Sequence, residues 1–371
     1  MSNNWKKIKI YRSLLPIAWL YGAGVRLRNF LFDKGILRQH TFPVPVICIG
    51  NLTVGGTGKT PHTEYLIRLL RPEYQVAVLS RGYKRKSKGF VLGNPETPIE
   101  EIGDEPYQML HKFPDIYVAV DEKRCEGIRF LTDGHTAPGT RVILLDDAFQ
   151  HRYVKAGVNI LLTDYNRLIT RDRLLPAGRL REPVDGKNRA DMILISKCPS
   201  TLTKEEQAEV RREIAPKQSQ LLFFTTLAYG RLQALFVSSP ERKLESIGPD
   251  EHILLLTGIA SPAPLIEKLS GYTSHVIPLT FPDHHAFDAN DMQRIQTAFE
   301  KLREGKRLII TTEKDAARLI GHPDIAPELT PYIYVLPVEV SFLNEEERIM
   351  FNQNITDYVR ENSRNSSLSE G

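Results

Sequence analysis

Residues 46–61, VICIGNLTVGGTGKTP, restrict the fold of this chain more than any other stretch. A β-branched apolar run (Val46, Ile47, Ile49) halts at Gly50, passes Thr53 and a Gly-rich turn (Gly55, Gly56, Thr57, Gly58), and reaches Lys59-Thr60 ahead of a helical pattern. Strand, phosphate-binding loop and helix follow from that order. Glycines let backbone N–H groups converge on phosphate oxygens, the helix N-terminus adds partial positive charge, Lys59 is a mobile cation, and the Thr60 hydroxyl can ligate Mg²⁺. The implied ligand is a nucleoside triphosphate. Thr53 departs from the usual pattern, which has glycine five residues before Gly58. The plainer alternative is a tight strand-to-helix turn with a solvent-facing lysine.

The remaining chain must supply a sheet for that loop. At 371 residues and 41% hydrophobic content it can bury a large core, enough for two domains. Cys48, Cys125 and Cys198 are an odd number without metal-ligand spacing, which points to reduced thiols and a cytosolic setting. The net charge of +4 is unevenly placed: residues 1–40 carry eight Lys/Arg against one acid, and the rest 41 against 44. A basic N-terminal arm on a slightly acidic body implies an anionic partner for the arm, membrane or nucleic acid.

Residues 14–21, LLPIAWLY, are too short to span a bilayer and carry no signal-type cleavage site. From Ser13, a candidate cap, an apolar stripe of Ile17, Leu20, Gly24, Leu27 and Leu31 opposes Gly22, Arg26, Asn29 and Asp33. With Trp5, Trp19 and nearby lysines this describes either an amphipathic helix in a membrane interface or a first helix packed on the body.

Strand and helix signals then alternate through residues 41–222, the signature of a mainly parallel sheet flanked by helices, an α/β fold of P-loop NTPase type. Residues 223–238 read as a connecting ribbon and residues 239–362 as a smaller C-terminal α/β domain, with one long strand from Tyr332 to Val340 and a helix from Glu345 to Arg360. The polar tail 363–371 reads as disordered. Residues 1–40 form the N-terminal helix region.

Several segments carry chemistry. VILLDDAFQH places Asp146 and Asp147 after an apolar strand, where a Walker-B acid holds a metal; an acidic turn is the rival reading. Arg81–Lys88 holds five cations and no acid, a solvated loop or a grip on an anionic substrate. Gly103-Asp104-Glu105-Pro106 opens a helix, where acids are ordinary caps. FPDHHAF contributes His284 and His285, able to move a proton near neutrality, and LPAGRLREP contributes Arg181 and Glu182, a candidate anion or metal-phosphate clamp.

The ordered set GNLTVGGTGKTP, SRGYKR, GDEP, DDAFQH, LPAGRLREP, ISKCP, FPDHHAF and TTEKDAARL, spread over residues 46–319, resembles the tetraacyldisaccharide 4'-kinases of lipid A biosynthesis. That family shows the same kind of departure at Thr53, while Ala148 stands where it usually has glycine. The resemblance implies transfer of the γ-phosphoryl group of ATP, with Mg²⁺, to the 4'-hydroxyl of tetraacyldisaccharide 1-phosphate, giving lipid IVA. It implies that Thr53, Gly55, Gly56, Thr57, Gly58, Lys59, Thr60 and Arg181 hold the nucleotide, that Thr60, Asp146, Asp147 and Glu182 serve the metal, and that Lys59 assists catalysis. Asp104 is implied as general base, with His284 more than His285 relaying its proton, and Tyr83 and Arg124 as lipid contacts. An anionic glycolipid substrate, no nucleic acid, and a peripheral place on the cytoplasmic face of the inner membrane complete the expectation.

Two rivals differ in kind. A P-loop GTPase or metallochaperone needs an Asn-Lys-x-Asp base-reading segment, and neither Ser196-Lys197-Cys198-Pro199 nor Thr312-Glu313-Lys314-Asp315 fits. A membrane-surface ATP switch predicts ATP turnover without a lipid acceptor.

Overall fold

The structure, a computed structural model, describes residues 8–236, 242–259, 262–283, 285–302, 305–320 and 322–367. The chain lays down α1 (Leu15–Asp33), β1 (Val46–Asn51), α2 (Lys59–Leu70), β2 (Val76–Ser80), β3 (Val91–Leu92), α3 (Ile99–Ile102), α4 (Asp104–Lys112), β4 (Tyr117–Val120), α5 (Arg124–Leu131), β5 (Val142–Leu145), β6 (Val158–Asp164), β7 (Met192–Ser196), α6 (Lys204–Ile214) and β8 (Leu221–Tyr229). There follow β9 (Gln233–Ala234), β10 (His252–Thr257), α7 (Ala263–Ser270), β11 (Val276–Thr280), α8 (Ala289–Glu300), β12 (Arg307–Thr312), α9 (Glu313–Leu319), β13 (Ile333–Leu336), β14 (Val338–Phe342) and α10 (Glu345–Ser367).

Two sheets result. The larger has nine strands in the order β14-β8-β7-β6-β1-β5-β2-β4-β3, and the smaller has five in the order β11-β10-β12-β13-β9. In the larger sheet only the edge strands β14 and β3 pair antiparallel. β1 lies between β5 and β6, with Cys48 opposite Leu145 and Ile47 opposite Val158. Side chains alternate across β1 and β5. Val46, Cys48, Ile143 and Leu145 meet α5 and α6 on one face; Ile47, Ile49, Val142 and Leu144 meet α2, α4 and α10 on the other. The smaller sheet is covered by α8 and α9 on one side and α7 on the other.

The alternating pattern of the N-terminal part therefore forms the parallel α/β sheet expected of it. The C-terminal part is arranged differently. The expected strand Tyr332–Val340 is two strands, because Pro337 lacks the N–H that a continuous ladder needs; β13 stays in the smaller sheet and β14 joins the larger one. α10 follows β14 and buries Phe351, Ile355 and Val359 on the larger sheet rather than in the smaller unit. It continues to Ser367, so residues 363–367 are helical where disorder was expected, while 368–371 lie outside the described residues. The expected ribbon divides too. β8 is a full member of the larger sheet, β9 belongs to the smaller, and residues 237–241 are outside the described residues. Ser13 does not cap α1, which starts at Leu15 after a 3₁₀ turn and has no side-chain cap.

Gly50 shows how tightly the edge of the larger sheet is built. A Cβ there would stand 2.6 Å from Phe149 Cβ and 2.8 Å from Phe149 N. The chain leaving β5 thus crosses directly over the end of β1. Gly50→Ala is expected to lower the unfolding free energy by about 1–3 kcal/mol through overpacking and to weaken nucleotide binding, read from urea denaturation and from ATP titration.

Candidate active site

The loop between β1 and α2 is held from beneath by polar groups that sequence pattern alone does not mark. Asn51, buried at the end of β1, donates from Nδ2 to Thr57 Oγ1 at 2.8 Å. Ser196 Oγ donates to the Thr57 carbonyl at 2.7 Å, and Lys197 Nζ reaches both the Gly56 carbonyl and, at 3.2 Å, Asp164. Val54 N donates to Arg179 O at 2.8 Å, tying the loop to the 172–182 segment. Gly55 and Gly58 have φ of 109° and 85°, a region costly for residues with a side chain. α2 begins at Lys59, three residues earlier than its apolar pattern indicates, with Pro61 tolerated in the first turn. Lys59 and Thr60 thus stand at a helix N-terminus, where backbone N–H groups and dipole both favour an anion.

The two aspartates after β5 have opposite environments. Asp146 is 0% exposed, and its oxygens accept from Thr63 Oγ1 at 2.9 Å and Ser80 Oγ at 3.4 Å. Burial, with the nearby Glu105 and Asp147 carboxylates, pushes its pKa up to about 7. Asp147 adopts φ of 47° and turns toward Lys59 Nζ at 3.6 Å and Arg181 Nη2 at 3.3 Å. Burial acts to raise its pKa, but Lys59 and Arg181 outweigh it and hold the carboxyl below its ordinary range. Arg181 also donates from Nε to Thr53 O at 3.1 Å and from Nη2 to Asn51 Oδ1 at 3.3 Å. Lys59, Asp147, Arg181 and the loop therefore form one charged cluster at the C-terminal edge of the sheet, where α/β folds bind ligands.

Glu182 points elsewhere. Its Oε2 accepts from Arg189 at 2.8 Å and from Asn29 of α1 at 3.4 Å, and its buried Oε1 has no partner. Among the described residues no three His, Cys, Asp or Glu side chains converge as a metal cage.

Asp104 opens α4, and its neighbour Glu105 is close enough to Asp146 to raise that carboxyl. Arg318 of α9 grips Asp104, with Nε 3.2 Å from Oδ1 and Nη2 on Oδ2. Of the two histidines expected here, His285 is bound within the smaller unit, its Nε2 2.6 Å from Asp291 Oδ2 and its ring stacked on Phe281. His284 lies outside the described residues.

Tyr83 is 59% exposed in the loop after β2, whose backbone rests on Gly103 just before Asp104. Of the five cations in that loop, Arg85 is bound to Glu122 and the Gly89 carbonyl, while Arg81, Lys84, Lys86 and Lys88 are exposed. Arg124 is 2% exposed, donates from Nη1 to Asp121 O, and leaves Nε and Nη2 without partners. Burial lowers its pKa to about 10, with Asp146 and Asp147 acting the other way. Arg124 therefore sits beneath the aspartates rather than on a lipid-accessible surface.

α1 packs on this site with its small face. Ala18, Gly22 and Phe32 are buried, Tyr21 donates to Arg181 O at 2.7 Å, and Ile17, Trp19, Leu20, Leu27 and Phe30 point outward. A Cβ on Gly22 would stand 2.6 Å from Leu174.

The family model described as LpxK, tetraacyldisaccharide-1-P 4'-kinase, matches residues 10–357. The chain belongs to this family. A tetraacyldisaccharide 4'-kinase of Phocaeicola vulgatus is 59% identical over 362 residues, covering 98% of this chain and 99% of that protein. One from Bacteroides fragilis is 55% identical over 367 residues, covering 98% and 97%. The crystal structure of an Aquifex aeolicus LpxK in complex with ATP superimposes with a TM-score of 0.71 at 31% identity, covering 94% of this chain and 98% of that one.

One further residue of this 4'-kinase family chain supports the loop from below. His62 is buried in α2, its Nδ1 2.7 Å from the Gly58 carbonyl and its Nε2 3.0 Å from Thr225 Oγ1. Donation from Nδ1 to the carbonyl leaves Nε2 to accept the hydroxyl, a neutral ring. Burial lowers its pKa from 6.5 to about 4. The unfolded chain thus takes up a proton between these values that the fold refuses, so stability rises with pH across this window and is lost on acidification. His62→Asn is expected to flatten the dependence of urea-unfolding free energy on pH between about 4 and 6.5; an unchanged slope would refute this.

Proposed function

We propose that this chain transfers the γ-phosphoryl group of ATP to the 4'-hydroxyl of tetraacyldisaccharide 1-phosphate, forming lipid IVA. The observation that carries the proposal is the cluster of Lys59, Asp147 and Arg181 at the mouth of the glycine loop, with the head of α4 beside it. Backbone N–H groups from Thr53 to Thr60 cradle the phosphates, and Lys59 and Arg181 offset charge that builds on the transferring group.

Asp147 and the Thr60 hydroxyl are the groups suited to Mg²⁺, which is commonly bound through one or two carboxylates plus phosphates and water rather than a full protein cage. When bound, Mg²⁺ adds positive charge to the phosphate oxygens. Asp146, whose oxygens are engaged by Thr63 and Ser80, orients the segment that presents Asp147. Glu182 acts through Arg189 and α1, holding the Arg181 loop in place.

Asp104 serves as general base toward the sugar hydroxyl. The family pattern of the FPDHHAF segment favours His284 as its proton partner, since His285 is already held by Asp291. Tyr83 and the exposed cations of its loop face the anionic glycolipid, whereas Arg124 acts from below as a positive charge on the aspartates.

The place we propose is peripheral, on the cytoplasmic face of the inner membrane, where ATP is supplied; α1 supports the peripheral contact. No helix among the described residues is long and apolar enough to cross a membrane. Yet Trp19 is 71% and Leu20 76% exposed, beside Ile17, Leu27 and Phe30. Insertion of that face into a bilayer interface removes it from water.

The decisive assay is incubation with γ-labelled ATP and tetraacyldisaccharide 1-phosphate. Label in the lipid supports the proposal, and ATP hydrolysis without labelled lipid sinks it in favour of a nucleotide switch. Asp104→Ala is expected to reduce transfer by about 10²–10⁴-fold while ATP still binds. Replacing Trp19, Leu20 and Leu27 with glutamate is expected to release the protein from anionic vesicles in a flotation assay, with its unfolding midpoint unchanged.

A further inference from the structure

Asp104 is reached from the other sheet through a chain of buried polar groups. Thr312 ends β12, and its Oγ1 accepts from Asp315 N at 3.2 Å, capping α9. Asp315 is fully buried; its Oδ2 accepts from Gly258 N at 2.9 Å and Thr312 Oγ1 at 2.7 Å. Its Oδ1 accepts from Arg318 Nη1 at 3.1 Å. Only 6% of the Arg318 side chain is exposed, and its remaining edge closes on both oxygens of Asp104. A Cβ at Gly258 would lie 2.9 Å from Asp315 Oδ1, so the backbone there must approach closely.

We infer that Arg318 is a positioning residue for phosphoryl transfer, fixing the plane and direction of the Asp104 carboxylate for the incoming hydroxyl. This inference rests on the reading of Asp104 as the base. A guanidinium presents donors in a fixed fork that matches both carboxylate oxygens, and one fork fixes rotation of the carboxylate. A carboxylate has about four acceptor sites, so two bonds to Arg318 leave room for the hydroxyl proton. Asp315, Thr312 and Gly258 in turn prevent Arg318 from swinging away. Through Arg318 the smaller unit thereby takes part in the chemistry.

The two units are also joined away from Asp104. α4 and α9 run past each other in opposite senses, and at the far end Lys112 of α4 pairs with Glu313 of α9 and, at 2.6 Å, with Glu64 of α2. Lys112 is therefore the control for docking, Arg318 for positioning.

The test uses full-length protein, ATP with Mg²⁺, and tetraacyldisaccharide 1-phosphate. Arg318→Ala is expected to lower kcat by about 10–100-fold, the scale of a misplaced reacting group, with both KM values nearly unchanged; because the buried Asp315 loses a partner the unfolding midpoint falls, and kcat is read well below the midpoint of every variant. Arg318→Lys, which keeps charge but loses the fork, recovers part of the loss, and ethylguanidinium added to Arg318→Ala recovers more. Lys112→Ala keeps kcat near wild type. Arg318→Ala in an Asp104→Asn background costs nothing further, because the two residues act as one unit. Equal kcat losses for Lys112→Ala and Arg318→Ala, raised KM values at unchanged kcat, or additive losses in the double variant overturn the role of Arg318. An inactive Asp104→Asn beside a fully active Arg318→Ala overturns that role alone, whereas a fully active Asp104→Asn overturns the base assignment beneath it.

Discussion

Two parallel strands laid side by side deliver their C-terminal ends to the same edge of a sheet, and the segments that follow must then share a small volume. In this chain the pairing of β1 with β5 imposes that constraint. The glycine loop leaves one strand and the paired aspartates leave the other, so Lys59 and Asp147 meet without any long-range search. Burial and Coulombic balance then sort the two carboxylates: the one facing two cations stays ionised, and the one fully buried beside two other acids is driven toward its neutral form. Adjacent residues of the same type acquire different chemistry from a difference of one position along the chain.

The sequence made the larger sheet legible because its strands are short, apolar and separated by amphipathic helices, a pattern with few alternatives. The loop was legible for the same reason, since Gly55, Gly58 and Lys59 are required by backbone geometry and charge. What could not be read was the partnership of distant residues. Ser196 and Lys197 support the loop from 139 and 141 residues away in the chain, and Asn51 does so from six residues away through an amide buried at the end of β1; nothing in their local context announces these hydrogen bonds. TTEKDAARL was visible as a motif, yet its arginine gained a meaning only when α9 was found against α4. Tyr332–Val340 misled because apolar alternation continues across Pro337, although the two halves serve different sheets. Arg124 was named through the family resemblance alone, and its enclosure, at 2% exposure, is a matter of packing that no local pattern marks.

α1 links the outer surface to this edge. It presents large apolar groups outward and reserves Ala18 and Gly22 for close contact, the reverse of an ordinary surface helix. Tyr21 and Asn29 on its inner side touch the backbone of Arg181 and the side chain of Glu182. A surface that seats this helix is therefore brought within one residue's reach of the phosphate-binding cluster.

The chain crosses between the sheets twice, and the crossings lie together, with Gly230 N bonded to Pro337 O at 3.0 Å. The smaller sheet is thus threaded into the larger body between β8 and β14. During synthesis the body cannot be completed in the order in which it is begun: β8 must wait as an unpaired edge until all of the smaller unit has emerged. The last strand and α10 then close a structure whose nucleotide loop was made near its start. A ribosome releasing this chain early would leave a body with the phosphate loop in place but with an open edge and an uncovered apolar face, a species suited to capture by chaperones rather than to catalysis.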